Sequence, residues 1–346
     1  MVDTFEILDK IIIKKEGNDM KRKSLILFPA IVTLSLSACS GAKHDISEYV
    51  LEMNYSKDFR ILQLSDVHIG DKDNTKLHYD FMDLTINEAR PDLIVITGDV
   101  FTFASRGTAK EFLDYLDGHG VKWTLTFGNH DEQTFFSIDW LTSLLNNYGS
   151  NCVFKDIQDD GVQGNANFAI NLKKGNEIFE QLIIMDSNRY NFNGYFGYDY
   201  FKQNQIDWYS ELVDYTTAQN NGNVVPSLMF YHIPLPEVND AWEAAKKGEA
   251  PNINNGQENE KPCNPDYNSG FFDVILKKGS TRGMYFGHDH INNFIVQYKG
   301  VDFGYGLKAT DSVYNSNQLL GGRVITIHED HTLEYTDYYH TYQEVL

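Results

Sequence analysis

Cysteine is scarce in this chain of 346 residues. Cys39, Cys152 and Cys263 are the only three, and no Cys-x-x-Cys spacing occurs, which argues against a thiolate zinc site. Positive charge is also short. Lys and Arg number 29 against 49 Asp and Glu, and the formal net charge of −20 repels a polyanion, so no nucleic-acid polymer is expected as a partner. A small phosphorylated substrate stays admissible, because bound metal ions would dominate the local field. The apolar run near the N-terminus, residues 24–37, is shorter than the roughly 20 residues of a membrane-spanning helix and contains Pro29. Internal repeats are absent. At 42% hydrophobic and 23% charged residues the balance is globular, and the length permits one large α/β domain or two small ones.

The start of the chain has its own pattern. Met20-Lys21-Arg22-Lys23 is basic, the apolar run follows, and Leu36-Ser37-Ala38-Cys39 ends it. Small residues before a cysteine in this setting resemble the bacterial lipoprotein signal. That resemblance implies an N-terminal extension and signal peptide over residues 1–38, with Met20 a candidate start. It further implies a lipidated Cys39 as first mature residue and an exported protein anchored to the membrane of the cell envelope. Residues 39–57 then read as a polar tether and 58–346 as the functional domain. Cys152 and Cys263 either pair or stay free; their spacing does not decide.

From Phe59 onward short apolar strands alternate with helical stretches. Strands are expected at residues 61–64, 93–96 and 121–127, and helices around 77–88, 108–117 and 139–147. This alternation predicts an α/β sheet. Residues 168–172 and 178–185 flank Lys173-Lys174-Gly175-Asn176 as a hairpin, and 201–219 reads as a helix. Further strands fall at 228–231 and 284–286. Between them, residues 234–268 form a polar excursion with one short helix at 241–247, placed to overhang a site as a lid. Beyond Asn293 three alternating segments, 294–298, 324–328 and 333–338, predict a second, antiparallel sheet.

Five of the apolar strands run directly into metal-type residues: Asp66-Val67-His68, Gly98-Asp99, Gly128-Asn129-His130-Asp131, His232, and Gly287-His288-Asp289-His290. Strand C-termini in open α/β sheets converge on one crevice. Hydrolysing a phosphate ester requires a nucleophile and stabilisation of developing charge, and two metals about 3.5–4 Å apart supply both. Asp99, alone after its strand, is the natural bridging carboxylate. Two carboxylates against two divalent ions leave about +2, which attracts a phosphate. The mixed imidazole, carboxylate and amide set suits manganese, iron, zinc or cobalt better than magnesium or calcium.

In order and register these motifs resemble the calcineurin-like metallophosphoesterase superfamily. The resemblance implies a four-layer α/β/β/α sandwich of two mixed β-sheets flanked by helices. It assigns Asp66, His68 and His290 to one metal and Asn129, His232 and His288 to the other, with Asp99 shared. Hydrolysis by a metal-bridging hydroxide is implied, with His130 as leaving-group acid or transition-state donor, oriented by Asp131. Phe127 to Asp131, Tyr231 to Glu237, Asn268 to Phe272 and Gly287 to His290 further resemble the single-domain purple acid phosphatase-like branch. Two positions depart from true purple enzymes. Thr102 stands where those have the tyrosine that ligates coloured iron(III), and His68 where they have no histidine. Arg106 lies too far from Asp99 for the serine/threonine phosphatase arginine.

Other polar residues have plainer readings. His78 and His119 read as surface histidines without partners, Asp71 and Asp73 as solvated charges, and Asp289 as turned away from the metals. The aromatic stretch 189–201 serves either as a pocket wall or as packing. Two functions are admitted: hydrolysis of a small phosphorylated substrate, as phosphatase or phosphodiesterase, or a degenerate lipoprotein that binds metal or ligand without turnover.

Overall fold

The computed structural model describes residues 45–72, 74–191 and 197–346, so the signal segment, Cys39 and Asp73 lie outside the described residues. In chain order the first elements are β1 (Val50–Asn54), β2 (Phe59–Leu64), α1 (Thr75–Ala89), β3 (Leu93–Thr97), α2 (Arg106–Gly118), β4 (Lys122–Thr126) and α3 (Ile138–Leu145). The middle holds β5 (Phe168–Lys174), β6 (Glu177–Ile184), β7 (Tyr190–Asn191), β8 (Gly197–Tyr198), α4 (Gln203–Gln219), β9 (Ser227–Phe230) and α5 (Glu237–Lys246). The last part is α6 (Phe271–Lys278), β10 (Thr281–Phe286), β11 (Ile295–Tyr298), β12 (Val301–Tyr305), β13 (Gly321–Ile327) and β14 (Leu333–Tyr339).

Two mixed sheets result. One runs β14-β13-β2-β3-β4 with β2, β3 and β4 parallel; the other runs β1-β5-β6-β9-β10-β12-β11 with β6, β9, β10 and β12 parallel. The central strand β3 is a continuous apolar run from Leu93 to Ile96 because both its faces are covered. Period-two alternation shows the layering directly. Phe168, Ile170, Leu182, Ile184, Leu228 and Phe230 join the core that also holds β2, β3 and β4. Their neighbours Ala169, Ile183, Met185, Met229 and Tyr231 join a second core with α4, α5 and α6. Helices α1, α2 and α3 cover the five-stranded sheet through Met82, Ile86, Phe112, Leu113, Leu116 and Leu141. The four layers expected of the fold are present. Local chemistry sets the helix ends: Ser105 and Ser137 accept from the third backbone N–H beyond them, and α6 stops at Gly279 with φ 66°.

Three sequence expectations need correction. Residues 50–54, read as part of the tether, form β1 and pair in parallel with β5, while Tyr55 donates to the Ile327 carbonyl at 3.0 Å. The C-terminal strands do not make a sheet of their own. β13 pairs antiparallel with β2, and β11 joins the other sheet through β12, a strand the sequence reading missed. Finally, residues 251–260, the interior of the excursion expected as a lid, are held down rather than free. Ile253 N–H donates to Ile295 C=O at 2.7 Å, Gln297 N–H to Pro251 C=O at 3.0 Å, and Asn259 and Glu260 N–H both donate to Asn292 Oδ1. The strip is stapled along residues 292–297. Cys152 and Cys263 are free thiols.

Candidate metal centre

β2, β3 and β4 bring Asp66, His68, Asp99 and Asn129 to one edge of their sheet, and β9 and β10 bring His232, His288 and His290 to the matching edge of the other. All seven side chains are buried. The backbone at four of them is left-handed, with φ of 52° at Asp66, 52° at His68, 50° at Asp99 and 79° at His288. Such strain costs on the order of 1–3 kcal/mol per residue and persists only where the surroundings enforce it. The segment after β12 is part of that enforcement. Ala309 N–H donates to Ser65 C=O at 2.8 Å, Lys308 Nζ to Asp66 C=O at 2.7 Å, and Thr310 Oγ1 to Val67 C=O at 2.7 Å.

Two donor clusters form. Ligand-type atoms of Asp66, His68, Asp99 and His290 lie within 4.8 Å of one another, as do those of Asp99, His232 and His288. One atom joins them: Asp99 Oδ2 is 3.7 Å from His68 Nε2 and 3.2 Å from His232 Nε2. Its other oxygen accepts the His130 N–H at 2.7 Å. Asn129 donates Nδ2–H to Tyr190 Oη at 2.7 Å, which leaves its Oδ1 facing His232 Nε2 at 3.2 Å.

The donors are oriented from outside. His232 Nδ1–H donates to Thr97 C=O and His290 Nδ1–H to Tyr314 C=O, each at 2.8 Å, so both present Nε2 inward. His68 Nδ1 is 2.8 Å from Thr102 Oγ1. Thr102 thus serves a histidine where a purple enzyme would have its tyrosine ligand. The Tyr314 ring stacks on His290 at 4.1 Å, and the Tyr198 ring meets His288 edge-on at 4.3 Å. Tyr190 and Tyr198 of the aromatic stretch therefore line the site.

The cluster's chemistry fits cations. His68 Nε2 and His290 Nε2 face each other at 3.2 Å, and His288 Nε2 is buried without a hydrogen-bond partner. A cation resolves both. Burial drives His68 well below the usual histidine range and His288 down to about 3, so both are neutral donors. Burial alone would raise Asp66 and Asp99, but His290 beside the first and His232 beside the second hold both below the usual carboxylate range. Burial lowers His232, yet Asp99, Asp66 and the bond to Thr97 carry it up to about 10 in the metal-free protein.

His130 borders this centre, its ring 5.2 Å from that of His68. Asp131 does not orient it. The Asp131 oxygens are taken by Phe101 N–H at 2.8 Å and Gly128 N–H at 2.7 Å, and burial, with Asp99 nearby, pushes its carboxyl up to about 7. The contact to the His130 ring comes from Gln133, whose Oε1 lies 2.9 Å from Nδ1. Sequence reading passed over Gln133, Tyr314, Lys308 and Thr310, and gave Thr102 no contact to His68. Of these only Gln133 left a local signal, an amide three residues after a histidine in a turn. Asp289 is turned away as expected, accepting from Cys263 N–H and Tyr305 Oη–H. Among the plainer readings, His78 is buried beside Asp311 at 3.2 Å, and His119 lies 3.3 Å from Asp83. Asp71 is exposed but accepts from Ser105 N–H at 2.7 Å, and Arg106 lies over the Trp140 ring.

Known proteins resemble this chain in sequence and fold. The model of the calcineurin-like phosphoesterase family matches residues 59–303. Probable inactive purple acid phosphatase 14 of Arabidopsis thaliana is 26% identical over 323 residues, covering 82% of this chain and 78% of its own. Phosphatase DCR2 of Saccharomyces cerevisiae is 26% identical over 267 residues, 69% of this chain and 45% of its own. A dimetal phosphatase from Danio rerio shares the fold at a TM-score of 0.51 and 13% identity, covering 82% of this chain and 100% of its own. The chain belongs to the calcineurin-like phosphoesterase family and is a metal-dependent phosphoesterase.

Proposed function

We propose that this protein hydrolyses the phosphate ester of a small phosphorylated molecule at a two-metal centre. Asp66, His68 and His290 would hold one ion, Asn129, His232 and His288 the other, and Asp99 both. The observation that carries the reading is the single Asp99 oxygen lying between His68 and His232, one from each cluster. When bound, the metal pair supplies an activated water nucleophile and offsets charge on the phosphoryl oxygens; manganese, iron or zinc suits the donor set. The chain's own contribution is geometric. The two sheets hold the donors rigidly, the 308–310 segment fixes the strained Asp66–His68 turn, and His130 stands at the rim to protonate the leaving oxygen.

The competing reading, binding without turnover, draws on the name of the Arabidopsis relative, a probable inactive purple acid phosphatase. Against it stands the complete set: all seven ligand-type residues and His130 are present and brought together. Activity of manganese-loaded protein on a panel of simple mono- and diesters decides between them. His130→Ala should keep both metals and lose a factor of about 10²–10⁴ in turnover. Loss of metal in that variant would instead make His130 a ligand.

We also propose export and membrane attachment through a lipidated Cys39, supported by the Lys21-Arg22-Lys23 start and the Leu36-Ser37-Ala38-Cys39 motif. Fatty-acid labelling that is lost in Cys39→Ala would support attachment; equal labelling of both proteins would sink it.

A further inference from the structure

An acid helps a departing group only if its ring is held with one nitrogen toward the leaving oxygen. His130 lies at the edge of the first donor cluster, and its Nδ1 is 2.9 Å from Gln133 Oε1. An amide oxygen only accepts, so Nδ1 carries a hydrogen and Nε2 is the atom left for substrate. Gln133 is itself fixed at both backbone groups. Its N–H donates to His130 C=O at 2.8 Å, closing the turn, and its C=O accepts Phe103 N–H at 2.7 Å. Asp131 is unavailable for this task because both its oxygens serve the backbone of Gly128 and Phe101.

We propose that Gln133 is the positioning residue of His130, fixing the ring with Nδ1–H on the amide and Nε2 toward the leaving-group oxygen. The inference rests on the phosphoesterase reading and names its acid's partner. As the P–O bond breaks, the Nε2 proton passes to the departing oxygen, and the neutral ring that remains is the Nδ1–H form Gln133 already holds. The water consumed gives its oxygen to phosphorus and returns a proton to the ring. A neutral amide performs this without placing another negative charge beside an incoming phosphate, which a carboxylate would do.

The test compares leaving groups and reads the tautomer. In Gln133→Leu, kcat on phenyl phosphate should fall about 10–100-fold, with KM and metal content held within about twofold. Dinitrophenyl phosphate, whose phenolate departs without an acid, should change less than about threefold. Gln133→Glu, which can still accept from Nδ1, should recover much of the loss. An equal fall on both substrates, or no fall, overturns the proposal. Nitrogen NMR of histidine-labelled full chain, with His130→Ala for assignment, reads the same point without turnover. The wild-type ring should carry its hydrogen on Nδ1 and the Gln133→Leu ring on Nε2; an unchanged tautomer overturns the proposal. Should the wild type hydrolyse neither ester, the phosphoesterase reading fails while the tautomer still decides the role of Gln133.

Discussion

Gly98, Gly128 and Gly287 stand directly before Asp99, Asn129 and His288, and the space beside each is already filled by the site. A Cβ on Gly128 would lie 2.2 Å from Asp99 Oδ1 and 2.5 Å from the Asp99 backbone nitrogen, which cannot move aside. Gly128→Ala should therefore cost about 1–3 kcal/mol in denaturant unfolding and displace the shared carboxylate, so metal content falls with stability. Normal metal content in that variant would show that Asp99 tolerates the shift. His232 makes a second prediction at this scale. Its proton, held up to about 10 by Asp99 once burial is overcome, must leave when Nε2 takes a cation. Calorimetry in buffers of different ionisation enthalpy near pH 8 should find about one proton released from it on metal binding. No release would contradict the assignment. In the metal-free protein the same raised value adds stability that is complete below the ordinary histidine range and is lost as pH climbs through about 10.

Among the elements, the strip 251–260 and the segment 308–310 act as braces. The strip fixes the loop that carries His288 and His290: Glu260 Oε1 accepts from Ile291 N–H at 3.1 Å, and just beyond the strip Cys263 N–H donates to Asp289 at 3.2 Å. Gly256 sits so close that a Cβ there would be 2.5 Å from Phe294 Cα. Deleting residues 252–260 should lower Tm and metal affinity together. A stable deletion with full metal content and raised activity on bulky esters would restore the lid reading. The strand-end motifs were legible because each is local: Asp66-Val67-His68 or Gly287-His288 follows its own apolar run within a few residues. β1 was hidden by Glu52 and Asn54, polar residues on a half-exposed edge strand, and β12 by Asp302 and Gly304, which imitate a turn. The pairing of Ile325 with Ile61 joins distant parts of the chain and leaves no local signal. The same holds for Lys308 on Asp66 and Tyr314 on His290.

For the whole molecule, the two sheets together build the proposed two-metal site, since each supplies donors the other lacks. Asp66, His68, Asp99 and Asn129 come from the five-stranded sheet, and His232, His288 and His290 from the seven-stranded one. Left-handed backbone at four of these residues is strain that bound cations would offset, because a ligand that binds only the folded state stabilises it. The central claim is therefore a stoichiometry. Equilibrium dialysis against manganese, followed by elemental analysis, should find two ions per wild-type chain and loss of tight binding at both positions in Asp99→Ala. One ion per wild-type chain at saturation, or two retained with unchanged affinity in Asp99→Ala, would contradict it.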